Sequence, residues 1–145
     1  MTDWSVEDRD DYYRQVMLIG KLRSTIHAKR WSDGVLKTLG TSLDRGTKRA
    51  LGKSLPDELS SALYGVFWLL HFRDDAMTRL DFQNRVARRS GNSDKEFAFY
   101  PTRAVFGEIK RFVDSEIEEK VAESLSPDIR ELWNLSQPTL SARHK

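Results

Sequence analysis

Apolar residues in this chain recur at helical spacing from end to end. Tyr12, Val16 and Met17 share one face of a first segment, behind a Ser5 and Asp8 pair that fits a helix start. Val35, Leu36, Leu39 and Leu43 line a second segment that ends near Asp44. Asp44 can cap a third helix holding Leu51 and Leu55. Pro56 suits the first turn of a fourth, with Asp57 and Glu58 favourable at its positive end. The second half repeats these signals. Thr78 with Asp81, and Ser93 with Glu96, fit capping boxes, and Ser90-Gly91 ends the helix between them. Ile117, Val121 and Leu125 form a stripe, and Ser126-Pro127-Asp128 reads as a cap followed by proline at the first helical position. No stretch alternates apolar and polar residues for long, so strands are not expected.

Sliding the chain by 70 residues brings these positions into coincidence without a gap. Tyr12 falls on Phe82, Val16 on Val86, Leu39 on Ile109, Asp44 on Asp114 and Leu59 on Ile129. The fold class predicted is all-α, with about eight helices in two tandem four-helix repeats. One unit of this size buries its apolar faces poorly alone, whereas two stacked units bury them well. The expected layout is a single domain over 1–135, with repeat one about 5–72, repeat two about 78–135, and a flexible tail over 136–145. Pro101 is the misfit. A helix starting at Ser93 would put it in the interior, so a kink or break is expected there.

Three phrases carry a family resemblance: Phe82-x-x-x-Val86-Ala87, Arg103-Ala104-Val105, and Leu125-x-Pro127-Asp128-Ile129-Arg130-x-Leu132-Trp133. The pattern resembles domain of unknown function 2267, a prokaryotic all-helical family often built of two repeats. Its units end in a phrase like Leu-Pro-x-Glu-Leu-Arg-x-Leu-Trp. The first half carries that phrase as Leu55-Pro56-Asp57-Glu58-Leu59, then departs with Ser60, Ala62 and Leu63. The second half has Ser126 in the first proline slot. The likeness covers about residues 8 to 135. It implies an architecture and no active site.

Composition narrows the chemistry. The 145 residues contain no cysteine, which removes disulfides, thiolate nucleophiles and Cys-ligated metals. The opening MTDWSVEDRDD is acidic, unlike a signal or transit peptide. The longest apolar run, Ala62 to Phe72, spans 11 residues, against about 20 for a membrane helix. It reads as a buried core helix, and the cytoplasm is the expected location. His27 lies among Lys29 and Arg30, where cations oppose a metal. His71 with Asp74 and Asp75 is the one cluster of hard-ligand character, and a solvated acidic loop explains it better. Adjacent carboxylates such as Asp10-Asp11 and Glu118-Glu119 point about 100° apart on a helix and read as surface. Gly20, Gly40, Gly46 and Gly52 are scattered through helices and make no phosphate-cradling loop. No nucleophile, base and orienter stand together. No catalytic residue, metal ligand, cofactor or small-molecule substrate is therefore assigned, and the chain is not read as an enzyme.

Charge separates the two halves although the net is only +2. Residues 21 to 53 hold nine Lys and Arg against two acids, a balance of +7. Residues 114 to 136 hold seven acids against two bases, a balance of −5. At matched positions Lys48 meets Glu118, Arg49 meets Glu119 and Lys53 meets Glu123. Solvated surface is the plainest explanation. The functional one is a helical interaction or scaffold module, binding a protein partner or itself. The alternative is nucleic-acid binding through segment 21–53, where Trp31 would stack on a base if exposed. The candidate anion or partner residues are Lys29, Arg30, Arg45, Lys48, Arg49 and Lys53. The candidate interface residues are Tyr64, Trp68, Phe72, Glu118, Glu119 and Glu123.

Overall fold

The computed structural model describes residues 3–65 and 76–139. Among them the chain forms eight α-helices and no strand: α1 (Val6–Ile19), α2 (Thr25–Ser42), α3 (Arg45–Ser54), α4 (Asp57–Leu63), α5 (Arg79–Arg89), α6 (Phe99–Ile109), α7 (Ser115–Ser124) and α8 (Pro127–Leu135). A 3-10 turn, Lys110–Phe112, follows α6. None of these helices is long and apolar enough to cross a membrane.

Local chemistry sets most of the helix starts. The side chains of Ser5, Asp44 and Asp114 each accept the backbone N–H three residues on, the bond an N-cap supplies to an orphan amide. Thr78 and Asp81 complete a reciprocal capping box on α5. Two caps differ from expectation. Pro56 is the N-cap residue of α4 and lies just outside the helix. Ser126 precedes Pro127 as expected, but its hydroxyl donates to the Met77 carbonyl at 2.6 Å instead of capping α8.

Pro101 does break its segment. The helix begins at Phe99, which puts the proline in the first turn, where its missing N–H costs nothing. Ser93 is not the cap: Asp94 Oδ1 accepts the Phe97 amide at 3.0 Å, in the turn before α6. The expected end of α5 is present. The Asn92 amide donates to the Ala87 carbonyl at 2.8 Å, and Gly91 takes the left-handed conformation with φ of 77°.

Helices α2 and α6 pass through the centre. α2 packs against α1, α4, α5 and α6, and α6 packs against α1, α2 and α8. Val35, Leu36, Leu39, Val105, Phe106 and Ile109 are fully buried between them and their neighbours. Each such side chain stabilises the fold by about 1.5–3 kcal/mol on burial. Phe106 holds the second half of the core, with Phe82 and Trp133 at 5.6 and 5.2 Å in edge-on contact. Gly34 lets α5 come close, since a Cβ there would stand 2.5 Å from Ser90 Oγ. Residues 136–139, expected to begin a flexible tail, are pinned. Ser136 is fully buried, and the Thr139 amide and hydroxyl donate to Glu108 Oε2 at 3.0 and 2.9 Å.

Candidate charged interface

Helices α3 and α7 hold most of the candidate residues. Thr47, Lys48, Leu51 and Gly52 form the buried side of α3, which leaves Arg45, Arg49 and Lys53 exposed along one stripe at four-residue spacing. On α7, Val121 and Ser124 are buried, while Glu116, Glu119 and Glu123 are exposed together with one cation, Lys120. The two helices pack against each other. Where they meet, the Asp44 amide donates to Ser124 Oγ at 2.8 Å, tying the start of α3 to the end of α7. Neighbouring helices therefore carry exposed stripes of opposite net sign, basic on α3 and acidic on α7. Among the described residues, Arg49, Lys53, Glu116, Glu119 and Glu123 make no ion pair.

Other candidates lie elsewhere. Lys48 is only 7 % exposed and its Nζ stands 5.8 Å from the Tyr64 ring centroid. Burial lowers its pKa, and the charge of Arg45 lowers it further. It is an interior lysine, not a contact for a partner. Lys29 stands 3.4 Å from Glu58 and 3.5 Å from Asp33, so its charge is already met. Trp31 is 4 % exposed and edge-on to Phe97 at 5.7 Å, so it offers no face for a base. Arg30 faces a separate cleft with Lys21 and Arg23. Glu118 is half-buried and points at Lys110, 3.8 Å away. Tyr64 is 45 % exposed and lies over Gly52, where any side chain would collide with its hydroxyl. The apolar run from Ala62 begins within the described residues, where α4 ends at Leu63 with Tyr64 as its cap, whereas its remainder with Trp68 and Phe72, and His71 with Asp74 and Asp75, lie outside them.

Two ionic clusters escaped the sequence reading. Arg9 grips Glu58 with Nε at 2.7 Å and Nη2 at 3.2 Å, and the Tyr13 hydroxyl donates to the same carboxylate at 2.7 Å. Burial raises the pKa of Glu58, but the bonds from Arg9 and Tyr13 and the charge of Lys29 outweigh it and hold it below the usual carboxylate range. Arg111 pairs with the fully buried Glu108 at 2.8 Å and also donates to the Thr139 carbonyl. Arg9 and Tyr13 lie on a different helix from Glu58, so no local pattern marks that cluster; Arg111 and Glu108 stand three residues apart, and only their Thr139 partner is distant in sequence. Glu116 was legible, since it extends the Glu119 and Glu123 stripe by one turn. Among the described residues no group of three or more His, Cys, Asp or Glu could hold a metal ion.

The sequence matches the family described as "Uncharacterized conserved protein (DUF2267)" over residues 9–132. The chain belongs to that family, and its described residues form an all-α fold. No curated protein matches it.

Proposed function

We propose that this protein is a non-enzymatic helical interaction module that associates with a second copy of itself through α3 and α7. The carrying observation is that two helices in contact carry exposed stripes of opposite net sign, Arg49 and Lys53 on α3 and Glu116, Glu119 and Glu123 on α7. A two-fold axis between the helices lays the basic stripe of each copy on the acidic stripe of the other, the self-complementarity that an isologous dimer requires. Exposed ion pairs contribute about 0–1 kcal/mol each, so the charges set orientation and encounter rate more than affinity. Tyr64, at the edge of α3, supplies an aromatic anchor. Each helix has 10 residues and is about 15 Å long, so the face is small and the association is weak.

This reading includes a tandem origin for the two halves. Supporting it, α1 packs on α6 as α5 packs on α2, and Asp44 and Asp114 cap matched helices. α3 and α7, the matched pair with opposite charge, are neighbours. It also carries a cytoplasmic location, consistent with a cysteine-free chain.

Light scattering across a salt series tests it. A dimer at low ionic strength that dissociates towards about 0.5 M salt, where screening shortens to a few ångströms, is expected. A monomer at every salt and at high protein concentration sinks the reading. Steep, salt-sensitive binding to duplex DNA, lost in Arg49→Glu with Lys53→Glu, would assign the basic stripe to nucleic acid instead.

A further inference from the structure

A second surface gathers cations without any help from α3 or α7. The turn between α1 and α2 and the turn after α5 enclose a half-open cleft of about 420 Å³. Lys21, Arg23, His27 and Arg30 line one side, Asn92 and Asp94 the other, and Trp31 and Phe97 close the interior with their edge-on contact. Arg23 and Arg30 are exposed and have no hydrogen bond or ion pair among the described residues. The Ser24 Oγ accepts the His27 amide at 3.2 Å and also bonds Nδ1, 2.8 Å away, in a direction set by the tautomer. Nε2 is the ring nitrogen left over on a side chain lining the cleft, and it donates in the cation and in the tautomer in which Nδ1 accepts. Asn92 uses its Oδ1 to accept the Asp94 amide, which leaves its NH₂ group to donate. One carboxylate, Asp94, faces three permanent cations.

The backbone carries an independent sign. Lys21 takes the left-handed conformation at φ of 59°, the one described non-glycine residue to do so. It follows α1 at the position where glycine is usual, and Gly91, which the 70-residue offset matches to it, holds that position after α5. Both residues line the same cleft. A lysine there costs conformational energy that glycine avoids. What the lysine adds is a cation at a residue lining the cleft, its ammonium resting 4.1 Å from the ring centroid of Tyr100, just outside the lining. Strain kept at a cleft edge for the sake of a charge points to a ligand.

We propose that this cleft binds a phosphorylated small molecule, with Arg23 and Arg30 gripping the phosphate oxygens and Lys21, His27 and Asn92 completing the donor set. Guanidinium forks match phosphate geometry, and the volume suits a small ligand. The cations line one pocket instead of running along a groove. A small phosphate ester therefore fits better than a nucleic-acid backbone. The site is separate from the proposed dimer face, so the failure of either proposal leaves the other standing.

The test is a titration of the intact protein with inorganic phosphate, pyrophosphate and a short oligothymidylate, followed by amide shifts in ¹⁵N spectra. Expected is saturable one-to-one binding of pyrophosphate, tighter than phosphate, with shifts at Lys21, Gly91 and Asn92. Arg23→Gln and Arg30→Gln should each weaken it about tenfold, the scale of one charged hydrogen bond. Both residues are exposed, so the variants should keep the wild-type circular dichroism. The proposal is overturned by no saturation up to about 10 mM pyrophosphate, which is weaker than any useful site. It is equally overturned by unchanged affinity in both variants, by shifts on α3 in place of the cleft, or by the oligothymidylate binding these residues more tightly than pyrophosphate.

Discussion

The Lys110 ammonium donates to the carbonyls of Trp133 and Ser136, both at 2.6 Å, and so closes the end of α8 from the end of α6. The last carbonyls of a helix lack partners within it, and here a buried lysine supplies them. Its Nζ also stands 4.6 Å from the Trp133 ring centroid. Burial pulls the lysine pKa down, and Glu118 at 3.8 Å opposes that pull. Lys110→Met keeps the stem but removes the ammonium from the Ser136 carbonyl, while the Trp133 carbonyl keeps the Ser136 amide at 3.2 Å. We expect a loss of about 1–3 kcal/mol in urea unfolding, the cost of one buried group left unpaired. A loss under about 0.5 kcal/mol would mean that the Ser136 carbonyl finds another partner.

Glu58 ties the start of α4 to α1 through Arg9 and Tyr13, and its carboxylate also faces the positive end of its own helix. Its folded pKa lies below the unfolded value of about 4.3, so the stability it contributes is present above that pH. That stability is lost as pH falls through the lower, folded value. Glu58→Gln should cost about 1–2 kcal/mol at pH 7, the size of a charged hydrogen bond with partial solvent access. The gap between wild type and variant should close progressively below about pH 4.3. A gap that stays constant down to pH 2 would contradict the linkage.

Lys48 and Arg49 are neighbours in sequence and opposites in the fold. Lys48→Met should be neutral or stabilising by up to about 1 kcal/mol, because it removes a desolvated charge while filling the same space. Arg49→Glu, on the exposed stripe, should change stability by less than about 0.5 kcal/mol. Thermal unfolding of the two variants separates the interior lysine from the surface arginine. If Lys48→Met is strongly destabilising, the ammonium has a structural partner and the interior assignment is wrong.

That pair also shows what the sequence could reveal and what it could not. Caps such as Asp44, Thr78 with Asp81, and Asp114 are decided within four residues, so a local pattern finds them. Burial of one charge among several is decided by what packs on top, and Lys48 is covered by Tyr64 from beyond α4. A charge count over 21–53 therefore joined four surfaces that the fold keeps apart: the α3 stripe, the interior, the Glu58 cluster and the cleft. Ser93 with Glu96 satisfied the capping rule, but Pro101 could be accommodated only in a first turn, so the helix starts six residues later. Ser136 to Thr139 read as a tail because they are polar and hold a proline. Their partners, Glu108, Lys110 and Arg111, lie about 25 to 30 residues back. The cleft joins Lys21 to Gly91 and Asn92, and no window along the chain contains both sides.

At Lys21 the conformational cost can be separated from the charge. Lys21→Gly removes both the left-handed strain and the ammonium, whereas Lys21→Ala removes only the ammonium. The glycine variant should be more stable than the alanine variant by about 1 kcal/mol, the cost of holding a Cβ in that region. Both should bind pyrophosphate more weakly than wild type. A glycine variant that binds as well as wild type would show that the ammonium takes no part in the cleft's donor set.

The dimer proposal makes a demand that non-specific charge attraction would not. Reversing Arg49 and Lys53 to Glu gives a chain with two acidic stripes. Reversing Glu119 and Glu123 to Lys gives one with two basic stripes. All four residues are exposed, so both folds should survive. Each variant alone should be monomeric at low salt, because like stripes then face each other across the two-fold. Mixed, they should form a one-to-one heterodimer, since acidic α3 meets basic α7 and acidic α7 meets basic α3. A chain carrying all four reversals restores opposite stripes and should dimerise with itself again. Mass measurement of the mixture at low and high salt decides the matter. Higher oligomers without a defined stoichiometry would indicate charge attraction without a shared axis, and the α3 and α7 face would not be an interface.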